Sequence, residues 1–276
     1  MRAELERWAE DVLGPCLVEN DASGWHGKSC VLRIRDAGGV RWFAKRHRYE
    51  EDYAREIGAY RAWVPMLGDR APRLFGCDDG SRSLLLSCVP GAAFGGVDVE
   101  VHRDAGRLLR LFHDADSWPP DPSYAVAKQE RLECWLGQSD GLLAPEEVAF
   151  ARAELRTLEG IPAFGMVPCH FDYSPRNWLV ERNQVHVIDF ELAAPDVWVN
   201  DLGRLYFGPW RGRSDLREAF LDGYGRTMSD DEHALLLRTY AGTVVWLIIW
   251  AHRFGNRDFE AALREILHAL MRREFG

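Results

Sequence analysis

Residues 169–192 read CHFDYSPRNWLVERNQVHVIDFEL, and the reading of this stretch decides the fold. His170, Asp172 and Asn177 stand in the pattern H-x-D-x4-N. Residues 178–180 read as a strand, a polar turn follows, and residues 185–188 supply the partner strand; Asp189-Phe190-Glu191 closes the unit. A hairpin fixes register, so Asn177 at its entrance and Asp189 at its exit come together in space. Asp172, on the preceding loop, reaches the same point. An amide oxygen and a carboxylate therefore meet beside a second, free carboxylate. Magnesium prefers oxygen donors and keeps waters and phosphate oxygens in its shell, so one or two protein ligands suffice. The free Asp can accept the proton of an incoming hydroxyl and orient it in line with phosphorus. Taken singly, each of these residues is as readily an ordinary turn-stabilising Asp or Asn. The set at this spacing favours the chemistry.

The stretch resembles the catalytic-loop motif and metal-binding Asp of the aminoglycoside phosphotransferase and choline kinase group, a branch of the protein-kinase-like fold. Members carry His-Gly-Asp-x4-Asn and then Ile-Asp-Phe/Trp-Glu. Here Phe171 stands where Gly is usual, and Arg176 directly precedes the Asn. Neither change removes an oxygen ligand or the base. The resemblance implies an α+β, bilobal protein-kinase-like fold, with a small β-rich N-lobe and a larger, mainly helical C-lobe. It implies ATP or GTP and Mg2+ as cofactors, Asp172 as catalytic base, and Asn177 and Asp189 as metal ligands.

Further out, Lys45 ends the apolar run WFAK, and Glu56 lies inside a helical pattern. In the family such a Lys touches the α- and β-phosphates and pairs with a helix Glu. Solvated charge is the usual fate of both residue types, but the apolar flank of Lys45 argues for a role. The segment ASGWHGKS (residues 22–29) would cover the phosphates. Gly24 and Gly27 would let backbone amides approach an anion there. A plain turn explains the segment equally well, since GxxxxGK[ST] is not met. Residues 83–91 (SLLLSCVPG) resemble the family hinge, where adenine would meet the backbone of Ser87 and Val89 with Leu86 behind the base. Asp201, in NDLG, matches a family element that braces the catalytic loop.

The remainder of the chain agrees. Residues 30–35 and 40–45 read as strands around an Asp-Ala-Gly-Gly turn, followed by a helical stripe over residues 50–64. Two more strands are expected at 74–77 and 83–89. Pro90-Gly91 then marks the division into an N-terminal lobe, 1–89, and a C-terminal lobe, 90–276. Helical patterns follow at 102–113, 145–158, 214–224, 230–254 and 258–274.

The chain has 276 residues, 47% of them hydrophobic and 28% charged, an ordinary globular balance. A net charge of −9 carries no basic face of the kind nucleic acid requires. Six scattered cysteines offer no closely spaced pair for zinc. The N-terminus reads as a charged helix and not as a signal. The apolar run 241–251 is shorter than the about 20 residues a bilayer needs. These features point to a cytoplasmic protein with no membrane partner; a monomer or weak homodimer is the expectation. The resemblance implies a small-molecule acceptor and favours a cationic one, such as an amine-bearing antibiotic. A biosynthetic kinase for an amino alcohol, sugar or nucleoside is the alternative. The aromatic residues and acids of the C-terminal third could hold an amine, but Trp246 and Trp250 read equally as core. A protein kinase is disfavoured by the short separation of Asn177 from Asp189, and a non-catalytic nucleotide-binding module by the intact set of Lys45, Asp172, Asn177 and Asp189.

Overall fold

A computed structural model describes residues 1–24 and 27–275. In chain order the elements are α1 (Arg2–Leu13), β1 (Cys16–Asp21), β2 (Ser29–Asp36), β3 (Arg41–His47), α2 (Glu50–Ala62), β4 (Leu74–Asp78), β5 (Ser83–Ser87), β6 (Ala92–Ala93) and α3 (Val99–His113). There follow α4 (Tyr124–Leu136), α5 (Pro145–Arg156), β7 (Val167–Cys169), β8 (Trp178–Glu181), β9 (Gln184–Val187), β10 (Ala194–Asp196), α6 (Gly203–Tyr206), α7 (Ser214–Tyr224), α8 (Asp230–Arg253) and α9 (Arg257–Met271). The chain forms two compact units. The first comprises Met1–Asp116, Pro168–Pro195 and Gly212–Arg226, and the second Ser117–Val167, Asp196–Arg211 and Thr227–Gly276. Residues 89 and 90 both fall in the first unit.

The first unit holds an antiparallel sheet in the order β1-β2-β3-β5-β4. Successive side chains on a strand point to opposite faces, and β3 shows the consequence. Ala44 faces a cluster in which Leu5 and Ala9 of α1 pack on Leu32, Ile34 and Leu85. Arg46, on the same face, pairs with Glu4 of α1 at 3.0 Å. Phe43, Lys45 and His47 point the other way. On α2, residues Tyr53, Ile57 and Tyr60 are buried at helical spacing, and Glu56 is buried among them.

β8 and β9 form the expected hairpin, with Trp178 opposite Val187 and Glu181 opposite Gln184. Its two turn residues, Arg182 and Asn183, have φ of 51° and 63°, the positive values of a type I′ turn, whose twist matches that of the strands. Ala92 and Ala93 pair with Val180 and Leu179, so the segment after Pro90 is a short strand and not wholly loop. A Cβ on Gly91 would lie 2.8 Å from the Val180 nitrogen, which only glycine avoids. Helices α3 and α7 also cross at glycines: a Cβ on Gly106 would meet the Phe220 carbonyl oxygen at 2.1 Å. Asp104 of α3 accepts from the Val185 N–H at 2.8 Å, tying the hairpin to the helix.

The second unit is helical. Leu155 of α5, Leu236, Val244 and Ile248 of α8, and Leu263 and Leu267 of α9 are buried. Ser229 and Glu232 make a capping box at the start of α8, and Glu232 also accepts from Trp198 Nε1 at 2.7 Å. Asp201 lies in a 3-10 turn over Trp198–Leu202. At 24 residues α8 is much longer than the apolar run inside it and is long and apolar enough to cross a membrane; 67% of its most apolar window is buried. That surface is used in packing.

Candidate active site

The site grows from one residue of β3. Lys45 has 7% of its side chain exposed and its Nζ lies 2.9 Å from Glu56, 2.9 Å from Asp189 and 3.1 Å from Glu191. The helix contributes one partner and the hairpin exit two. Burial alone would lower the pKa of this ammonium, but Asp189, Glu56 and Glu191 outweigh it and hold the pKa well above the ordinary lysine value. Asp189 is the mirror case. Burial would raise its pKa, yet Lys45, with His170 and Arg176 beyond it, keeps it below the ordinary aspartate range.

Glu56 also meets His47, whose Nε2 lies 2.5 Å from the same carboxylate oxygen that Lys45 approaches. A carboxylate only accepts, so Nε2 carries the hydrogen. His47, Glu56 and Glu191 lie close enough to share an ion, but the Lys45 ammonium is already within 2.9 Å and 3.1 Å of the two carboxylates. His47 and Glu191 were not singled out from sequence. The signal for His47 was available: it stands two residues after Lys45 on a strand and so shares its face.

The loop between β7 and β8 is held by hydrogen bonds. His170 Nε2 donates to the Ile188 carbonyl at 3.1 Å, and its Nδ1 accepts from the Asp172 N–H at 3.3 Å. This imidazole ties the loop to the residue before Asp189. The Asn177 amide nitrogen donates to the Asp172 carbonyl at 3.0 Å and to its carboxylate at 2.9 Å. Both acceptors fix the amide orientation and turn Oδ1 away from them. The Ile188 N–H donates to the Asn177 carbonyl at 3.1 Å, so the two ends of the hairpin meet. Arg176 donates to Asp172 from Nε at 3.0 Å and also from Nη2. Phe190 anchors the exit, with its ring centroid 4.9 Å from His170, 5.4 Å from Phe112 and 5.6 Å from Tyr60.

Two backbone conformations explain the loop's shape. Phe171 has φ of 62° and Asp189 φ of 70°. The left-handed region is costly for a bulky residue and milder for Asp. Phe171 thus adopts the conformation that suits the Gly of related sequences, and the departure at this position leaves the loop in a glycine-like path.

The remaining expected residues are less engaged. The Ser87 N–H donates to the Arg73 carbonyl at 2.9 Å, so only its carbonyl is available to a base. Val89 makes no backbone hydrogen bond among the described residues. Gly27 has φ of 62°, and its N–H donates to the Gly24 carbonyl at 3.3 Å, so that amide closes a turn. Trp25 and His26 of the same loop lie outside the described residues.

An amide oxygen and a carboxylate at the base of one hairpin are the donor types a hard divalent cation takes, so Asn177 and Asp189 fit magnesium. The fold is the protein-kinase-like fold. A model of the phosphotransferase enzyme family (APH) matches residues 18–237, and the chain belongs to that family. Solved structures agree on the fold. Aminoglycoside phosphotransferase APH(4)-Ia, in a thermostable mutant bound to ADP and hygromycin B, superposes with a TM-score of 0.71 at 14% identity, covering 97% of each chain. Macrolide 2'-phosphotransferase MphH from Brachybacterium faecium gives 0.63 at 17% identity, covering 96% of this chain and 97% of that one. Choline kinase LicA from Streptococcus pneumoniae gives 0.71 at 12% identity, covering 97% and 99%. No curated protein sequence matches the chain.

Proposed function

We propose that the protein transfers the γ-phosphate of ATP to a hydroxyl of a small molecule, with magnesium, in the cytoplasm. The observation that carries this reading is the buried Lys45, 2.9 Å from both Glu56 and Asp189. Three carboxylates around one ammonium make sense if one of them, Asp189, is to be given up to a metal. Asn177 and Asp189 would hold that ion, which would supply positive charge to neutralise the phosphates. Lys45 takes the α- and β-phosphates, with Glu56 and His47 keeping its head in place. Asp172 accepts the acceptor's hydroxyl proton. The oxygen then attacks the γ-phosphorus, the bond to the β-phosphate oxygen breaks, and ADP leaves. Asn177 orients the Asp172 carboxylate, and His170 holds the loop against the hairpin. The Ser87 carbonyl and Val89 N–H serve the base.

For the acceptor we favour an antibiotic bearing an amine, in line with the hygromycin B bound to one structural neighbour. An amino alcohol is the second reading, favoured by the likeness to a choline kinase. GTP is the alternative donor, and the protein acts as a monomer or weak homodimer. The test is a panel of hydroxyl acceptors offered with ATP and with GTP, read as mass gain of one phosphate. If every acceptor, including an aminoglycoside, a macrolide and choline, stays unmodified while the nucleotide binds, the acceptor assignment fails. If neither nucleotide binds, the reading fails entirely.

A further inference from the structure

Arg176 is the residue that the mechanism above leaves unused, and its surroundings are unusual for a surface arginine. Its side chain is 57% exposed, while its partner Asp172 keeps 4% exposed. Nε and Nη2 both address the Oδ2 atom of Asp172, the oxygen that also accepts from the Asn177 amide. Pro175 opens the 3-10 turn Pro175–Asn177 that presents it, which fixes the backbone on one side of the guanidinium. Asp189 and Glu191 lie within electrostatic range and, with Asp172, hold the Arg176 pKa above its ordinary value against the opposing effect of burial. The site therefore sets four carboxylates, Glu56, Asp172, Asp189 and Glu191, against two cations, Lys45 and Arg176.

That balance creates a difficulty for a phosphoryl group. A γ-phosphate placed for attack by a hydroxyl on Asp172 must approach a carboxylate of its own sign, and like charges at contact are strongly unfavourable in a partly desolvated site. Lys45 serves the α- and β-phosphates, with Glu56 and Glu191 beside it. The cation in contact with Asp172 itself is Arg176. A guanidinium has five N–H donors in a planar fork suited to phosphate oxygens, and Nε and Nη2 face Asp172 while the side chain stays more than half exposed. Arg176 is the exposed member of the pair, so its guanidinium can turn toward a phosphate while the Asn177 amide still donates to the Asp172 carboxylate.

We propose that Arg176 is a further catalytic residue, which pairs with Asp172 and moves onto the γ-phosphoryl group when nucleotide is bound. The proposal builds on the phosphotransfer reading. It gives the departure at position 176 a function: the arginine screens the base from the phosphate and then stabilises the charge on the group in flight.

The test compares Mg-ADP with the Mg complex of a non-hydrolysable ATP analogue, titrated by calorimetry into the wild type, Arg176→Ala, Arg176→Gln and Arg176→Lys. Removal of the guanidinium should weaken the triphosphate analogue by about tenfold or more and leave ADP within about twofold, with kcat down by about 10²-fold. Arg176→Lys should keep part of the preference for triphosphate, and added guanidinium should restore part of the turnover of Arg176→Ala. Equal weakening of both nucleotides, or of neither, would overturn the proposal while leaving phosphotransfer intact. A wild type that binds neither nucleotide removes the phosphotransfer reading and this inference together.

Discussion

Asp172 and Lys45 carry opposite burdens, and their variants should part accordingly. Asp172→Asn keeps the shape of the loop but cannot take a proton. Turnover should fall by about 10²–10⁴-fold, the usual worth of a positioned general base, with nucleotide affinity measured by calorimetry nearly unchanged. Lys45→Met leaves Glu56, Asp189 and Glu191 clustered without their cation. Losing one partner from a buried ionic group costs about 3–5 kcal/mol, and denaturant unfolding should show it. Glu56→Gln should cost clearly less, because the ammonium keeps two carboxylates. The Asp189 pKa is held below the ordinary aspartate value by Lys45. Its ionisation therefore contributes stability that is complete above the unfolded-chain pKa of about 3.9 and lost as the pH falls through the folded value. The Tm difference between wild type and Asp189→Asn should be full at neutral pH and shrink below about pH 4. A difference constant through that range would show that the carboxylate is not the source. Asp172 and Asp189 were legible in sequence because their spacing about one hairpin encodes their meeting, and Lys45 because its charge ends an apolar run. Glu191 was not, because only the three-dimensional path brings it to Lys45; His47 shares the strand face of Lys45, but its pairing with Glu56 depends on how α2 packs.

At the level of elements, strands and helices with one clear face announced themselves. The helix at Ser214–Tyr224 has the bounds that its pattern gives. β1 and α4 escaped notice for a physical reason. β1 is an edge strand with no fully buried residue, and α4 buries only Leu132, so neither shows an apolar period. The crossing of α3 and α7 was also hidden, because a glycine in a sequence does not say which backbone will approach it. Gly106→Ala would set a methyl group against the Phe220 carbonyl oxygen. Overpacking of this kind costs about 1–3 kcal/mol, and the loss should appear in the unfolding midpoint. The same helix carries Asp104, which holds the hairpin at Val185, so a fall in kcat should accompany the loss of stability. An unchanged midpoint would mean that the helices separate at no cost.

For the whole molecule, nucleotide and metal should act as one ligand. Mg-ATP at a hundred times its Kd should stabilise the fold by about 2.7 kcal/mol. Addition of EDTA should abolish turnover and remove most of that stabilisation, since Asn177 and Asp189 alone offer the nucleotide no cation. Stabilisation by ATP that persists undiminished in EDTA would argue that magnesium has no part in binding. Sequence alone was enough for the fold class and for singling out Asp172 as the candidate base, Asn177 and Asp189 as candidate metal ligands and Lys45 as a lysine with an apolar flank, because local spacing and hairpin register suffice to bring the loop and hairpin residues together. The tertiary structure alone decided which carboxylates share Lys45, that the Ser87 N–H is spent on Arg73, and that Arg176 sits on the base. Those outcomes depend on contacts between segments far apart in the chain, where pairing is settled by packing and charge and no periodicity records it.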